Sequence, residues 1–139
     1  IVECGCDRHA THVRAGMVAG DGGCVVWPQS MGMLMAKRHL LTGDPITAEQ
    51  GYARGIVTDL VDTPEEVAPA ARALAERMAA LPPMAVQGTK RALNRVMQQR
   101  AGEVFEDSLT LEQGTLVSDY ILEAVNAFKE KRAPTYTGR

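Results

Sequence analysis

The residues best suited to moving protons or holding a ligand are concentrated in the first quarter of the chain. Asp21 stands within Ala19-Gly20-Asp21-Gly22-Gly23, where three glycines allow a tight turn and close approach of backbone to a ligand. A carboxylate held there is a candidate general base, and His12, nine residues earlier, is a second group able to exchange protons near neutral pH. An aspartate beside glycine also suits an ordinary turn, so both readings of Asp21 stay open. Cys4, Cys6, His9 and His12 are all of zinc-ligand type. They are too closely spaced for the usual paired-knuckle pattern, and no metal is assigned. Gly16-x3-Gly20-x-Gly22 lacks the lysine of a nucleotide loop, so a phosphate cradle is a weak reading.

The elements that must position these groups follow from period and punctuation. A helix is expected from about Trp27 to Leu41, ended by Gly43 as a left-handed cap and by Pro45. Thr47 should cap a short helix over 48–54, closed by Gly55. Ile56–Val61, rich in β-branched residues, is the best strand in the chain. Thr63-Pro64-Glu65-Glu66 then opens a helix with a capping box, running to about Leu81 before Pro82-Pro83. Apolar residues at i, i+3, i+4 predict three more helices, over 84–99, 102–117 and 119–132. One strand cannot make a sheet, so either the early residues also pair or the sheet lies in sequence before Ile1.

Composition removes several function classes. The chain has 139 residues, a formal net charge of -2 and an aromatic fraction of 4%. That balance argues against a nucleic-acid binder, which needs basic charge and stacking platforms. No apolar run reaches the length of a membrane span, so no membrane partner is expected. Residues 1–70 carry nine acids against five bases, and residues 71–139 eight against ten. The mild basic bias of the second half suits either an anionic small molecule or an ordinary solvated face. Three cysteines and no secretory signal favour a reducing compartment, and a cytoplasmic location is expected. The first residue is Ile1 and not methionine, which suggests a processed, truncated or partial product.

A longer set of residues carries a family resemblance. His12-Val13-Arg14-Ala15-Gly16-Met17-Val18-Ala19-Gly20-Asp21-Gly22-Gly23 leads to Trp27-Pro28, Ala36-Lys37 and Leu40-Leu41-Thr42-Gly43-Asp44-Pro45-Ile46-Thr47-Ala48. Gly55-Ile56-Val57, Ala85-Val86-Gln87-Gly88-Thr89-Lys90 and Ala127-Phe128-Lys129-Glu130-Lys131-Arg132-Ala133-Pro134 follow in order. Over about residues 12–134 this resembles the C-terminal half of the enoyl-CoA hydratase/isomerase (crotonase) family.

The resemblance implies an α/β fold, the crotonase-like spiral, of which this chain would be mostly the helical C-terminal half with few strands. It implies 1–100 as the C-terminal part of the crotonase core with its glycine-rich loop, and 101–139 as a helical oligomerisation region. The implied activity is a lyase or isomerase reaction of fatty acid metabolism, hydrating or isomerising a 2-enoyl-CoA, with coenzyme A as part of the substrate and no separate cofactor. A homotrimer or hexamer is the implied assembly. Asp21 and His12 become the catalytic candidates, and Gly20, Gly22, Trp27 and Lys131 the substrate-binding ones. Hydratases of the family carry a glutamate four residues before the glycine matching Gly16. Here that position is His12, and one imidazole does not reproduce two carboxylates flanking a water.

Family members polarise the thioester carbonyl with two backbone N–H groups, in segments that the resemblance places before residue 1. The 139 residues on their own are therefore expected to hydrate crotonyl-CoA slowly. Losing even one such donor costs about 10²–10³ in rate, and a steady-state assay on the purified polypeptide checks it. Two alternatives are a non-catalytic helical piece that supports oligomerisation and a small metal-binding helical module.

Overall fold

The structure, a computed structural model, describes residues 1–3, 7–8 and 11–138. Cys4, Cys6 and His9 lie outside the described residues, and with them most of the cysteine–histidine cluster. The chain divides into two compact units, Ile1–Arg8 with Ile46–Glu103, and His9–Pro45 with Val104–Arg139.

In the first unit the early residues do pair as strands. β1 (Val2–Glu3) runs parallel to β4 (Leu60–Val61), with Val2 opposite Leu60. β2 (Asp7–Arg8) runs antiparallel to β3 (Ile46–Thr47), with Asp7 opposite Thr47. The strand expected over Ile56–Val61 is shorter than its composition suggests. The N–H groups of Ile56 and Val57 both donate to the Gly51 carbonyl, at 2.9 and 3.3 Å. They close the end of α3 (Ala48–Ala53) and cannot join a ladder, so only Leu60 and Val61 pair. Gly55 makes that closure possible with a φ of 76°.

Caps read from the sequence hold. The Thr47 hydroxyl accepts from the Gln50 N–H at 3.2 Å while the Gln50 side chain accepts from the Thr47 N–H at 3.4 Å. Glu66 accepts the N–H groups of Asp62 and Thr63 at the start of α4 (Pro64–Ala79). Val2, Ala48 and Val57, with Leu60 packed against them, form the core of this unit.

Two helix assignments change. The segment expected as one helix from Trp27 is two, α1 (Gly23–Met31) and α2 (Met33–Thr42). They are separated by Gly32, whose φ of 80° and ψ of 156° suit only glycine. Conversely, 84–99 and 102–117 are one continuous helix, α5 (Pro83–Leu116). A single Gly102 costs only about 1 kcal/mol against alanine, no proline interrupts, and Arg100 bridges to Glu103 at 2.8 Å across the expected break. None of the described helices is long and apolar enough to cross a membrane.

The second unit holds α1, α2, the later part of α5 and α6 (Asp119–Lys129). Its core is Ala19, Ala36 and Leu40, with Cys24, Trp27 and Met31 packed on it. The tail after α6 is clasped back: Arg132 grips both carboxylate oxygens of Glu123 at 2.5 and 3.0 Å, and the Thr135 N–H donates to Glu123 at 2.8 Å. Tyr136 reaches the Arg14 carbonyl at 2.6 Å.

The Arg132 guanidinium, then the Thr135 amide, hold the Glu123 carboxyl down at about 2 against an ordinary 4.5. A depressed folded pKa means that the clasp's contribution is complete above 4.5 and is lost as pH falls through about 2. Amide exchange at Thr135 is therefore expected to accelerate, relative to an exposed amide, only on that acid limb. Arg132→Ala should remove the protection already at neutral pH.

Candidate active site

The segments carrying the sequence-predicted residues meet in the second unit. His12 opens a 3-10 turn, His12–Ala15, closed by Gly16 in the left-handed region with φ 75°. The Met17 N–H donates to the His12 carbonyl at 2.8 Å and tightens the turn. A Cβ on Gly16 would lie 2.9 Å from the Tyr120 Cβ, so close packing as well as the dihedral demands glycine there. Asp21 stands just before α1. Gly22, at φ 127°, lets the chain turn so that its carbonyl accepts the N–H groups of Val25 and Val26 at 3.0 and 2.8 Å. A carboxylate immediately before a helix N-terminus is favoured by the partial positive charge there.

These two local structures bring the two groups together. His12 Nε2 lies 3.3 Å from Asp21 Oδ2. An ionised carboxylate can only accept, so the imidazole N–H donates. The Asp21 side chain is 59% exposed and that of His12 26%. Both line a pocket of about 210 Å³ with Gly22, Gly23, Val26, Trp27 and Leu40. The pair can pass a proton to or from a molecule in that pocket, with the histidine orienting the carboxylate.

Trp27 sits at the wall of this pocket, half-buried, its ring tilted against His39 at a centroid distance of 6.4 Å. His39 is buried, and its Nδ1–H donates to the Asp44 carbonyl at 3.0 Å. Gly20 is placed differently from the expectation of a ligand contact. It is packed against α5, where the Ser108 hydroxyl donates to its carbonyl at 3.1 Å. A Cβ at position 20 would come within 2.7 Å of the Glu112 Cβ and closer still to the Ser108 carbonyl. The close approach that glycine permits there is to a helix backbone. Lys131 does not line the pocket. It is exposed beyond the end of α6, with a φ of 54° that is unusual for a side-chain-bearing residue.

One group at the site was not anticipated. Glu112 on α5 is only 8% exposed, and one of its carboxylate oxygens lies with ligand atoms of His12 and Asp21 inside a mutual distance of 4.8 Å. Thr115, one turn on, donates to the Glu112 carbonyl at 2.6 Å and accepts from the Val18 N–H at 3.2 Å. The Cys24 thiol is pushed up by burial and then by the charges of Glu112 and Asp21. Ser108, Glu112 and Thr115 follow at i, i+4 and i+7, a polar stripe on one helix face. That spacing is the signal in the sequence that would have found them.

Comparison with known proteins bears on the whole of this arrangement. The family model for enoyl-CoA hydratase/isomerase matches residues 8–139. The chain is 33% identical over 138 residues to (E)-benzylidenesuccinyl-CoA hydratase of Thauera aromatica, covering 92% of this chain and 50% of that protein. Its fold superposes with a TM-score of 0.83 and 30% identity on an enoyl-CoA hydratase/isomerase from Mycobacterium paratuberculosis, covering 89% of this chain and 49% of that one. A carnitinyl-CoA dehydratase from Mycobacterium avium 104 superposes with a TM-score of 0.87 at 27% identity, covering 99% and 55%. The chain thus spans about half the length of the curated relatives it matches, and its mostly helical structure with short strands is the corresponding part of the crotonase fold. With a family model matched over nearly all of its residues, the chain belongs to the enoyl-CoA hydratase/isomerase family.

Proposed function

We propose that this chain carries the proton-transfer part of an active site that hydrates or isomerises a 2-enoyl-CoA thioester. The observation that supports this most is the His12–Asp21 hydrogen bond at the mouth of a pocket walled by Trp27. In the hydration direction Asp21 takes a proton from the water whose oxygen bonds to C3. The double-bond electrons move onto the thioester oxygen, and as they return to C2 the protonated Asp21 delivers its proton there, which regenerates the carboxylate. His12 holds the carboxylate in place and shares the charge as it changes. In an isomerisation the same pair would take a proton from one carbon and return it to another.

An acyl-CoA substrate is also supported by relatives whose names specify CoA thioesters. On this reading the protein is a cytoplasmic enzyme of fatty acid metabolism. The test is hydration of crotonyl-CoA by the gene's product at its natural length. His12→Gln should lower kcat by about 10²-fold, and an unchanged kcat would remove the pair from the chemistry.

The proposed assembly is a homotrimer, alone or paired into a hexamer, with contacts from α5 and α6. Leu116, Val125 and Phe128 are all exposed in the single chain, Phe128 by 85%, and large apolar side chains so placed mark a surface that another subunit covers. Sedimentation at micromolar concentration should give three times the monomer mass or a multiple of it. A monomer with no concentration dependence would contradict this.

A further inference from the structure

We propose that His12, Asp21 and Glu112 form a binding site for one divalent transition-metal ion. Glu112 lies on a buried helix face, 8% exposed, and its carboxylate has no hydrogen-bond donor among the described residues. With no described residue donating to it, that carboxylate can turn its oxygens to a cation. His12 turns its Nε2 toward the Asp21 carboxylate. Both belong to a set of three whose ligand atoms already lie within 4.8 Å of one another, with the His12–Asp21 pair at 3.3 Å. Metal–ligand bonds of about 2.0–2.2 Å place donors at most ~4.3 Å apart, so a small rotation of one side chain closes the shell.

Charge points the same way. Two carboxylates and a neutral imidazole sum to two negative charges, which one divalent cation balances. The mixed nitrogen and oxygen donors select the class of ion, favouring zinc, manganese or ferrous iron over magnesium and calcium. The three donors come from separate segments: the 3-10 turn, the glycine-rich loop and α5. Since Asp21 and His12 line the pocket, the remaining coordination positions would open toward it. That is the arrangement of an accessible metal site and not of a closed structural one. A bound cation would also take the His12–Asp21 pair out of proton exchange. This consequence rests on the function proposed above, whereas the binding itself does not.

The experiment is a zinc titration of the 139-residue chain against a chromophoric chelator, with cobalt substitution as a spectroscopic readout. The expected result is one zinc bound at micromolar affinity or tighter, with magnesium unable to displace it. Glu112→Gln and His12→Gln should each weaken binding by about 10²-fold. A chain with Cys4→Ser and Cys6→Ser should bind as before, which separates this site from the terminal cysteines. Should Glu112→Gln fail to fold, His12→Gln, on a partly exposed turn, decides alone. The proposal is overturned if zinc does not bind below millimolar concentration. It is equally overturned if binding survives His12→Gln, or if it vanishes with the two cysteines.

Discussion

Asp21→Asn, in the gene's product at its natural length, is expected to lower kcat for crotonyl-CoA hydration by about 10²-fold or more while leaving stability nearly unchanged. Asparagine keeps the shape of the side chain and can still meet His12, but it cannot accept the proton from water. The carboxylate is more exposed than buried and among the described residues makes a single ion pair, at 3.3 Å to His12. Exposed pairs of this kind contribute about 0–1 kcal/mol to folding, so a large fall in rate would report chemistry and not collapse of the loop. Parallel measurement of kcat, KM and the urea midpoint separates the two. Near-normal kcat with a lowered midpoint would make Asp21 a turn residue.

Gly20→Ala should act through the fold. The added methyl group would have to share space with the Ser108 carbonyl and the Glu112 Cβ, both fixed on the α5 helix. Helix backbone cannot rotate away as a flexible side-chain end can, so the loop itself must shift. Overpacking of this kind costs about 1–3 kcal/mol, and loss of the buried Ser108–Gly20 hydrogen bond adds about 1. The loop carries Asp21, so activity should fall with stability. Gly102→Ala is the internal contrast. It lies on the same helix with open space where its Cβ would be, and should stabilise by about 0.5–1 kcal/mol. Urea denaturation of the two variants beside the parent checks both signs.

Much of this was legible in the sequence because it rested on local chemistry. Thr47 with Gln50 and Thr63 with Glu66 mark helix starts through their own side chains. Gly43, with a φ of 68°, marks a helix end through its own backbone. The approach of His12 to Asp21, not anticipated from the sequence, has a similarly local cause. His12 and Asp21 flank one short turn–loop segment, and Trp27 follows on the helix that the loop begins.

Other features depend on partners distant in the chain. Whether Ile56 and Val57 extend a strand is decided by a carbonyl at Gly51 that accepts both N–H groups. Whether Gly20 faces a ligand or a helix is decided by Ser108, 88 residues away. Glu112 is the clearest case. On α5 it resembles any solvated glutamate, and only the fold turns it inward beside Asp21. The split of α1 from α2 at Gly32 and the continuity of α5 through Gly102 show one residue type with opposite outcomes. The dihedral at Gly32 excludes other residues, while Gly102 keeps helical geometry at small cost.

On the function proposed, the His12–Asp21 pocket exchanges a proton with carbon C2 of an acyl-CoA. That exchange is tested most directly by incubating the gene's product with 3-hydroxybutyryl-CoA in deuterated water and following deuterium at C2 by mass spectrometry. The parent should incorporate deuterium at C2, and Asp21→Asn and His12→Gln should do so about 10²-fold or more slowly. Equal incorporation by the parent and both variants would contradict it.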